Sequence, residues 1–305
     1  MTRHLPRARR GFSLAEIVIA VTILAVIGTA LTRLVIMQAR SYQTDTNGRR
    51  SRTVARSAMN ILQTDIRMAQ DNGAVSFINA TNNRRIDVRV PVVFGIVCAV
   101  DAASTTIALV PVDSFQRSAL KFGGYAVRNA ASPYSYSYAD ALVGSVITVG
   151  SATVCRTTAG IYVDTVRSGG RQGEIVTVAP APPAGAVVGA PAFLYQIVSY
   201  EFKASGFSDF AGKLGLYRVV RGKANTDTLS EELLAPFASG ARFSYYTNPR
   251  QARDIPALTA PTDYNTIRGF RVTLPAETAD TVPGRGGPER FTTSTSVFFK
   301  NTRTQ

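Results

Sequence analysis

Residues 7–28 read RARRGFSLAEIVIAVTILAVIG, and this stretch decides how the rest of the chain is interpreted. No charged residue lies between Ile17 and Leu31. Residues 12–32 would therefore form an apolar helix about 30 Å long, the thickness of a bilayer's hydrocarbon core. Arginines precede the run and polar residues follow it, which predicts a cytoplasmic N-terminus. A carboxylate, Glu16, nevertheless lies inside the apolar run, where an unpaired charge is costly.

The composition predicts a folded chain without the residues of common active sites. Of its 305 residues, 45% are hydrophobic and 18% are charged, which is ample for a core. The only histidine is His4, which precedes the apolar run. The remaining chain therefore lacks the histidine of a Ser-His-Asp triad, a Cys-His pair or an HExxH zinc site. Because no GxGxxG or Walker loop is present either, we expect no enzyme activity, no cofactor and no metal site.

The net charge of +14 is compatible with several acidic partners. Nucleic acid, anionic lipid and acidic polymers all bind basic proteins, but charge spread along a chain is also typical of ordinary solvated side chains. One cluster comprises Arg40, Arg49, Arg50, Arg52 and Arg56. It could be a solvated helix face, or it could contact lipid headgroups or acidic neighbours.

Helical spacing continues beyond the apolar run. A stripe at steps of three and four residues comprises Val54, Ala58, Ile61, Leu62, Asp65, Ile66 and Ala69. This spacing predicts an amphipathic helix. Asn47-Gly48 interrupts the pattern and predicts a kink or an end of the first segment.

From about residue 84 the hydrophobic period changes to two. Runs such as RIDVRVPVVFGIVC and GEIVTVA are β-branched and bounded by Gly, Pro, Asn or Ser, which is typical of strands joined by turns. Residues 179–191 hold too much proline for a central strand and predict a connection. In VSYEFKA, the alternation places Val198, Tyr200 and Phe202 on one face. The spacing of the later runs predicts an antiparallel meander.

Two further features have alternative interpretations. The run SPYSYSYAD at residues 132–140 favours a half-buried strand or an ordered loop, and an adhesive edge strand is the alternative. The two cysteines, Cys98 and Cys155, do not form a CxxC pair and have no second pair with which to bind zinc. Outside the cytoplasm we expect a structural disulfide between them, and two unpaired buried thiols are the alternative.

Three interpretations of the opening stretch compete. A secretory signal would be cut near Gly28-Thr29-Ala30 and would discard Glu16. A plain membrane anchor would have no use for the acid. The third interpretation accounts for more residues, because RRGFSLAEIVIAVTILAVIG resembles the class III signal of type IV prepilins and type II secretion pseudopilins. The resemblance rests on Gly11, Phe12, Ser13-Leu14 and Glu16, whereas Ala15 departs from the Thr, Val or Ile common in the family.

The resemblance implies a role for each of these residues. A prepilin peptidase would cut after Gly11 and methylate the new N-terminus at Phe12. Cleavage would create an ammonium group on Phe12, inside the same apolar layer as Glu16. In the family, Glu16 of one subunit would neutralise Phe12 of a neighbour as the helices stack into a filament. An unpaired buried acid disfavours misaligned packing, so Glu16 would set the register of assembly.

The resemblance also implies an α+β architecture. A long N-terminal α-helix, transmembrane and then amphipathic, would pack on a large antiparallel-β periplasmic head. We expect a basic leader at 1–11, a transmembrane or filament-core helix at 12–39 and an amphipathic continuation at 40–72. The β-rich head would occupy 73–305, with two lobes divided near 179–191.

Within the family, the size of the head favours a minor pilin. The order of VSYEF, GLYRVVRG, ARFSYY, IRGFRVTL and the closing SVFFKN is similar to that of W-type minor pilins and the related J-type pseudopilins. The length favours the W type. The resemblance then implies a subunit that primes assembly of a type IV pilus and lies at or near its tip. Its partners would be other minor and major pilins and an inner-membrane assembly platform.

Two alternatives remain beside the minor pilin. The protein could be a J-type pseudopilin of a type II secretion system, or a tip subunit that binds DNA or a surface through its basic and tyrosine-rich segments. Each alternative predicts a single-pass protein of the inner membrane with a periplasmic head. The protein would then enter a cell-surface pilus or a periplasmic pseudopilus.

Overall fold

The computed structural model describes residues 13–70, 73–110, 116–131, 135–141, 145–150, 154–156, 162–164, 167–168, 171–221, 228–247, 256–281 and 287–299. The predicted leader at 1–11 and the new N-terminus at Phe12 lie outside these residues. Helix α1 spans Leu14–Met68.

The first strands are β1 (Val75–Ile78), β2 (Arg85–Val100), β3 (Thr105–Leu109), β4 (Gly124–Arg128), β5 (Tyr136–Asp140), β6 (Ile147–Val149), β7 (Val154–Arg156), β8 (Tyr162–Asp164), β9 (Arg167–Ser168), β10 (Arg171–Gln172) and β11 (Ile175–Val178). The later strands are β12 (Pro191–Ala204), β13 (Leu214–Arg221), β14 (Thr228–Phe237), β15 (Arg242–Tyr246), β16 (Gly269–Thr281) and β17 (Pro288–Phe298). Short 3-10 turns occur at Ser208–Phe210 and Tyr264–Thr266.

Helix α1 is continuous through the predicted interruption. Of the two alternatives that we predicted at Asn47-Gly48, the end is wrong, because the helix includes both residues, and the kink stays a prediction. A glycine inside a helix costs only about 1 kcal/mol relative to alanine, which the surrounding turns can offset. Arg49 also forms an ion pair with Asp45, one turn earlier, at 2.9 Å, so a side-chain contact spans the glycine.

Thirteen of the described strands form one large antiparallel sheet built around its two longest central strands, and β7-β8 and β9-β10 form separate two-stranded pairs. Strands β2 and β12 pair from Arg85 opposite Glu201 to Ile96 opposite Pro191. The main order is β15-β16-β14-β13-β12-β2-β3-β11-β6, and β1, β4 and β17 pair with β2, β12 and β16 respectively. The second series is antiparallel, as predicted, but it is not a simple meander: the unpredicted strand β14 pairs with β13, and β16 rather than β15 pairs with β14. Because α1 packs on this sheet, the predicted α+β class is confirmed.

The two largest hydrophobic clusters of the described residues share the central strands. The first lies under α1, where Leu62 and Ile66 meet Val198, Tyr200 and Phe202. These three strand residues share one face, as their alternation predicted. The second cluster is formed by Val93, Val97, Ile107, Leu109, Phe122, Tyr125, Val127, Ala141, Val176, Val178, Ala190, Ala192 and Leu194. The domain boundaries, including the division near 179–191, stay predictions.

The described part of the tyrosine-rich run is the half-buried strand β5, as its alternation favoured. The Tyr136 ring lies 4.8 Å from the Phe193 ring, between centroids. The Arg89 guanidinium lies over the Tyr138 ring at 5.1 Å and donates to both oxygens of Asp140, at 2.8 and 2.6 Å. These contacts hold β5 and its partner β4 against the centre of the sheet.

Candidate assembly site

The first turn of α1 is closed by two reciprocal hydrogen bonds between Ser13 and Glu16. The Glu16 backbone N–H donates to Ser13 Oγ at 3.2 Å, and the Ser13 backbone N–H donates to Glu16 Oε2 at 2.9 Å. This capping box satisfies two of the amide groups that a helix N-terminus leaves unpaired. It also places a carboxylate at the positive end of the helix dipole.

The capping box determines where the Glu16 carboxylate lies. Its Oε2 atom is bonded to the residue that directly follows Phe12, so the acid is held towards the N-terminal end of the helix. We predicted a role for Glu16 from its position in the apolar run, but we assigned none to Ser13. The spacing of Ser13 and Glu16 is the capping-box pattern, so this contact could have been found in the sequence. The predicted functions of Gly11 and Phe12 concern residues outside the described part of the chain.

The N-terminal half of α1 is exposed and apolar on all sides. Every residue from 13 to 43 is exposed, including Leu24 at 69%. The helix is long and apolar enough to cross a membrane. The hydroxyls of Thr22, Thr29 and Thr32 each donate to a carbonyl of the same helix at 2.8–2.9 Å. Because these polar groups are satisfied internally, they do not oppose an apolar environment.

The C-terminal half of α1 is attached to the head by a charged contact as well as by apolar packing. Asp65 Oδ2 accepts from Tyr200 Oη at 2.7 Å and from Arg218 Nε at 2.9 Å. Burial, and then the neighbouring Asp65 carboxylate, raise the pKa of the Tyr200 hydroxyl. The tyrosine is therefore a neutral donor at physiological pH. Asp65 belonged to the predicted stripe, but its partners are 135 and 153 residues away and carry no sequence signal.

The arginine cluster of α1 lies on the surface. Arg40, Arg49, Arg50, Arg52 and Arg56 are all exposed. The Arg52 guanidinium lies over the Phe291 ring of β17, at 5.6 Å from its centroid. Part of the cluster thus contacts the head.

The cysteines occupy two different strands. Cys98 is fully buried in β2 beside Ala108 and Ile175, and it is disulfide-bonded. Cys155 lies in β7, which contacts β2, but its side chain lies outside the described residues. Their pairing stays a prediction.

Comparison with known proteins adds one finding. Residues 6–32 match the family described as the prokaryotic N-terminal methylation motif. No curated protein and no solved structure matches the chain. The matched residues include Gly11, Phe12, Ser13 and Glu16, and they end within the exposed apolar half of α1.

The motif has direct consequences for processing and location. It belongs to a structural protein family whose members are processed by a prepilin peptidase and assemble with other pilins. Together with the apolar helix it indicates a membrane anchor. A class III signal that opens a long apolar helix, with a β-sheet head packed on the later part of that helix, is consistent with a protein of the type IV pilin and pseudopilin family.

Proposed function

We propose that the protein is a minor pilin that primes assembly of a type IV pilus and lies at or near its tip. The observation that carries this proposal is the methylation motif on a helix with two different halves. The first half is exposed and apolar, and the second packs under a head whose last described strand ends at Phe298. Such a subunit has a structural role and no catalytic one.

The Glu16 carboxylate is unfavourable in an apolar layer while it is unpaired. Processing would give it a partner in a neighbouring subunit. A prepilin peptidase cuts after Gly11 and methylates Phe12, leaving a cation at the new N-terminus. The capping box supports the next step, because it directs the carboxylate towards that terminus. Glu16 of one subunit then neutralises Phe12 of its neighbour within the apolar core of the filament. A misaligned neighbour would leave both charges unpaired, which disfavours it.

The proposed topology follows from the same helix. Before assembly, α1 anchors the protein in the inner membrane, with the N-terminus in the cytoplasm and the head in the periplasm. An inner-membrane assembly platform then transfers the subunit into a filament with other minor and major pilins. The apolar surface that faced lipid would face neighbouring helices after this transfer.

The mature N-terminus tests this proposal directly. Intact and peptide mass spectrometry of the protein from its native host should find a chain that starts with methylated Phe12. A chain that starts at Leu31 would identify a secretory signal and reject the pilin function. An unprocessed N-terminus would reject it as well.

Glu16→Ala tests the assembly step separately from processing. The variant should be cut and methylated normally, yet it should be largely absent from purified filaments. Asp45→Ala is the matched control, because Asp45 is another acid of α1, exposed and beyond the apolar run. Normal incorporation of Glu16→Ala would reject the neutralisation mechanism.

The pairing of Cys98 and Cys155 is a second part of the proposal. It is supported by the disulfide-bonded state of Cys98 and by the contact between β2 and β7. Alkylation of the denatured, unreduced protein should label neither cysteine. Cys98→Ser, Cys155→Ser and the double variant should destabilise the head equally. An unequal pair of single variants would contradict the bond.

A tip subunit that binds DNA is the alternative favoured by the exposed arginines of α1. The tyrosine-rich run supports it less, because the rings of Tyr136 and Tyr138 pack against Phe193. Salt-dependent DNA binding by the full-length protein in detergent would support this alternative. A type II secretion role would appear instead as loss of protein export on deletion, with surface pili unchanged.

A further inference from the structure

A cavity of about 480 Å³ lies where the head first meets α1. We call it the basal pocket. Its helix wall comprises Thr46, Asn47, Arg49, Arg50, Ser51, Thr53 and Val54. Its head wall comprises Phe210, Ala235, Pro236, Glu277 and Thr278. The pocket follows directly on the exposed half of the helix, so a neighbouring helix that runs along α1 would reach it.

The walls of the basal pocket are held by hydrogen bonds and ion pairs. Phe210 belongs to the loop between β12 and β13, and the base of this loop is bonded to Glu232. That carboxylate accepts from the Gly206 backbone N–H at 2.8 Å and from Tyr217 Oη at 2.7 Å. The buried Glu277 carboxylate contacts Lys213, at the end of the same loop, at 2.7 Å and Arg290 at 3.0 Å. These bonds therefore fix the positions of the head residues that line the pocket.

The helix wall of the basal pocket is basic, and the buried Glu277 on its head wall is already paired with Lys213 and Arg290. Residues 40–56 contain five arginines and one acid, Asp45. Arg49 forms a surface ion pair with Asp45, and Arg50 is exposed on the pocket wall. The same segment of a second copy would bring like charge against this wall, which is unfavourable. A helix with acidic and apolar side chains complements both the arginines and the apolar lining.

We propose that the basal pocket receives an acidic amphipathic helix from a different pilin-like subunit. An apolar side chain of that helix fills the space between Val54 and Phe210, and a carboxylate meets Arg50. This inference rests on the proposed assembly function and adds to it a preference for a heterologous neighbour. A minor subunit that rejects its own copies at this site would enter a filament only beside other subunits.

Site-specific photo-crosslinking of the full-length protein in its native host tests the proposal. A photoreactive benzoylphenylalanine replaces Thr53, which is exposed and lines the pocket. The adduct should map, by peptide mass spectrometry, to an acidic segment beyond the apolar run of another protein with a class III signal. An adduct with a second copy, with lipid or with DNA would overturn the proposal, as would the lack of any adduct.

Charge reversal provides the matched comparison. In the Thr53-substituted protein, Arg49→Glu combined with Arg50→Glu should lower the adduct yield by roughly tenfold, because it places acids opposite acids. Arg56→Glu should leave the yield unchanged, because Arg56 is exposed on the same helix but does not line the pocket. Equal yields for the two variants would overturn the charge argument.

The mature N-terminus of the same protein separates the two hypotheses. An unprocessed chain would reject the proposed function, whereas normal assembly of Glu16→Ala would reject only the neutralisation mechanism. A chain that is processed at Phe12 and incorporated, but that gives no heterologous adduct from position 53, would reject only the assignment of the basal pocket.

Discussion

The two halves of α1 are equally helical but are stabilised by different surroundings. Residues 14–43 are exposed throughout, although the run 17–31 within them carries no charge. In residues 51–66, by contrast, Ser51, Ala55, Ala58, Met59, Leu62 and Ile66 are buried against the head. A helix that is apolar on all sides requires lipid or other helices around it, whereas an amphipathic helix requires one packed face. The same element thus connects two environments, and the contrast predicts which substitutions will affect the head.

The largest expected effect comes from Leu62→Ala. Leu62 is fully buried in the first core, so its truncation should lower the free energy of unfolding by about 2–5 kcal/mol. Leu24→Ala is the control in the exposed half and should leave head stability unchanged. Urea unfolding of the full-length protein in detergent, followed by near-ultraviolet circular dichroism of the tyrosines, measures both. Equal effects would show that α1 does not divide into two functional halves.

Asp65→Ala should have the next largest effect. It leaves Tyr200 and Arg218 without their shared acceptor near the core, which should cost about 2 kcal/mol of head stability. Asp45→Ala removes an ion pair with side chains 62% and 77% exposed, so its effect should stay below about 0.5 kcal/mol. The same unfolding assay distinguishes them. A cost for Asp65→Ala as small as that of the control would mean that apolar packing alone attaches the helix.

A smaller effect of opposite sign is expected for Gly48→Ala. An added Cβ at Gly48 meets no atom within 4 Å, so the gain in helix propensity should stabilise the protein by about 0.5–1 kcal/mol. Gly28→Ala also meets no atom within 4 Å, but it lies in the exposed half and should not change head unfolding. A destabilising Gly48→Ala would show that the helix needs flexibility at this point.

The smallest effect is expected for Arg52→Ala. Loss of its contact with the Phe291 ring should cost about 0.5 kcal/mol. Arg56→Ala, at an exposed position of the same helix, should be close to neutral. Thermal unfolding of the two variants, measured side by side, should resolve this difference in stability. An Arg52→Ala variant with an unchanged free energy of unfolding would show that the contact of Arg52 with the Phe291 ring does not stabilise the head.

Local patterns in the sequence predicted α1 and many of the strands, but not β1, β4 or β14. The change from a helical period to a period of two separated α1 from the strands, and the alternation of Val198, Tyr200 and Phe202 identified the core face of β12. The error at Asn47-Gly48 arose because local propensity was given more weight than the cooperativity of a long helix. Ser13 was overlooked although its spacing from Glu16 is a known capping pattern.

Contacts between distant segments could not be predicted in this way. The pairing of β2 with β12, the bonds from Asp65 to Tyr200 and Arg218, and the basal pocket all join segments far apart in the chain. Periodicity shows which face of an element is apolar, but it does not specify which other element covers that face. Only the packing of the folded head determines which element covers each apolar face.

The class III signal and the α+β order of elements were thus readable from the residues alone. Both depend on short-range physics: a basic start, an apolar run of bilayer length, one acid at a set distance from a glycine, and a change of hydrophobic period. Long-range packing determines three other features: how deeply the head buries α1, the role of Asp65 as an acceptor, and the basal pocket beside Arg50. Their free energies arise from groups that meet only when the chain has folded.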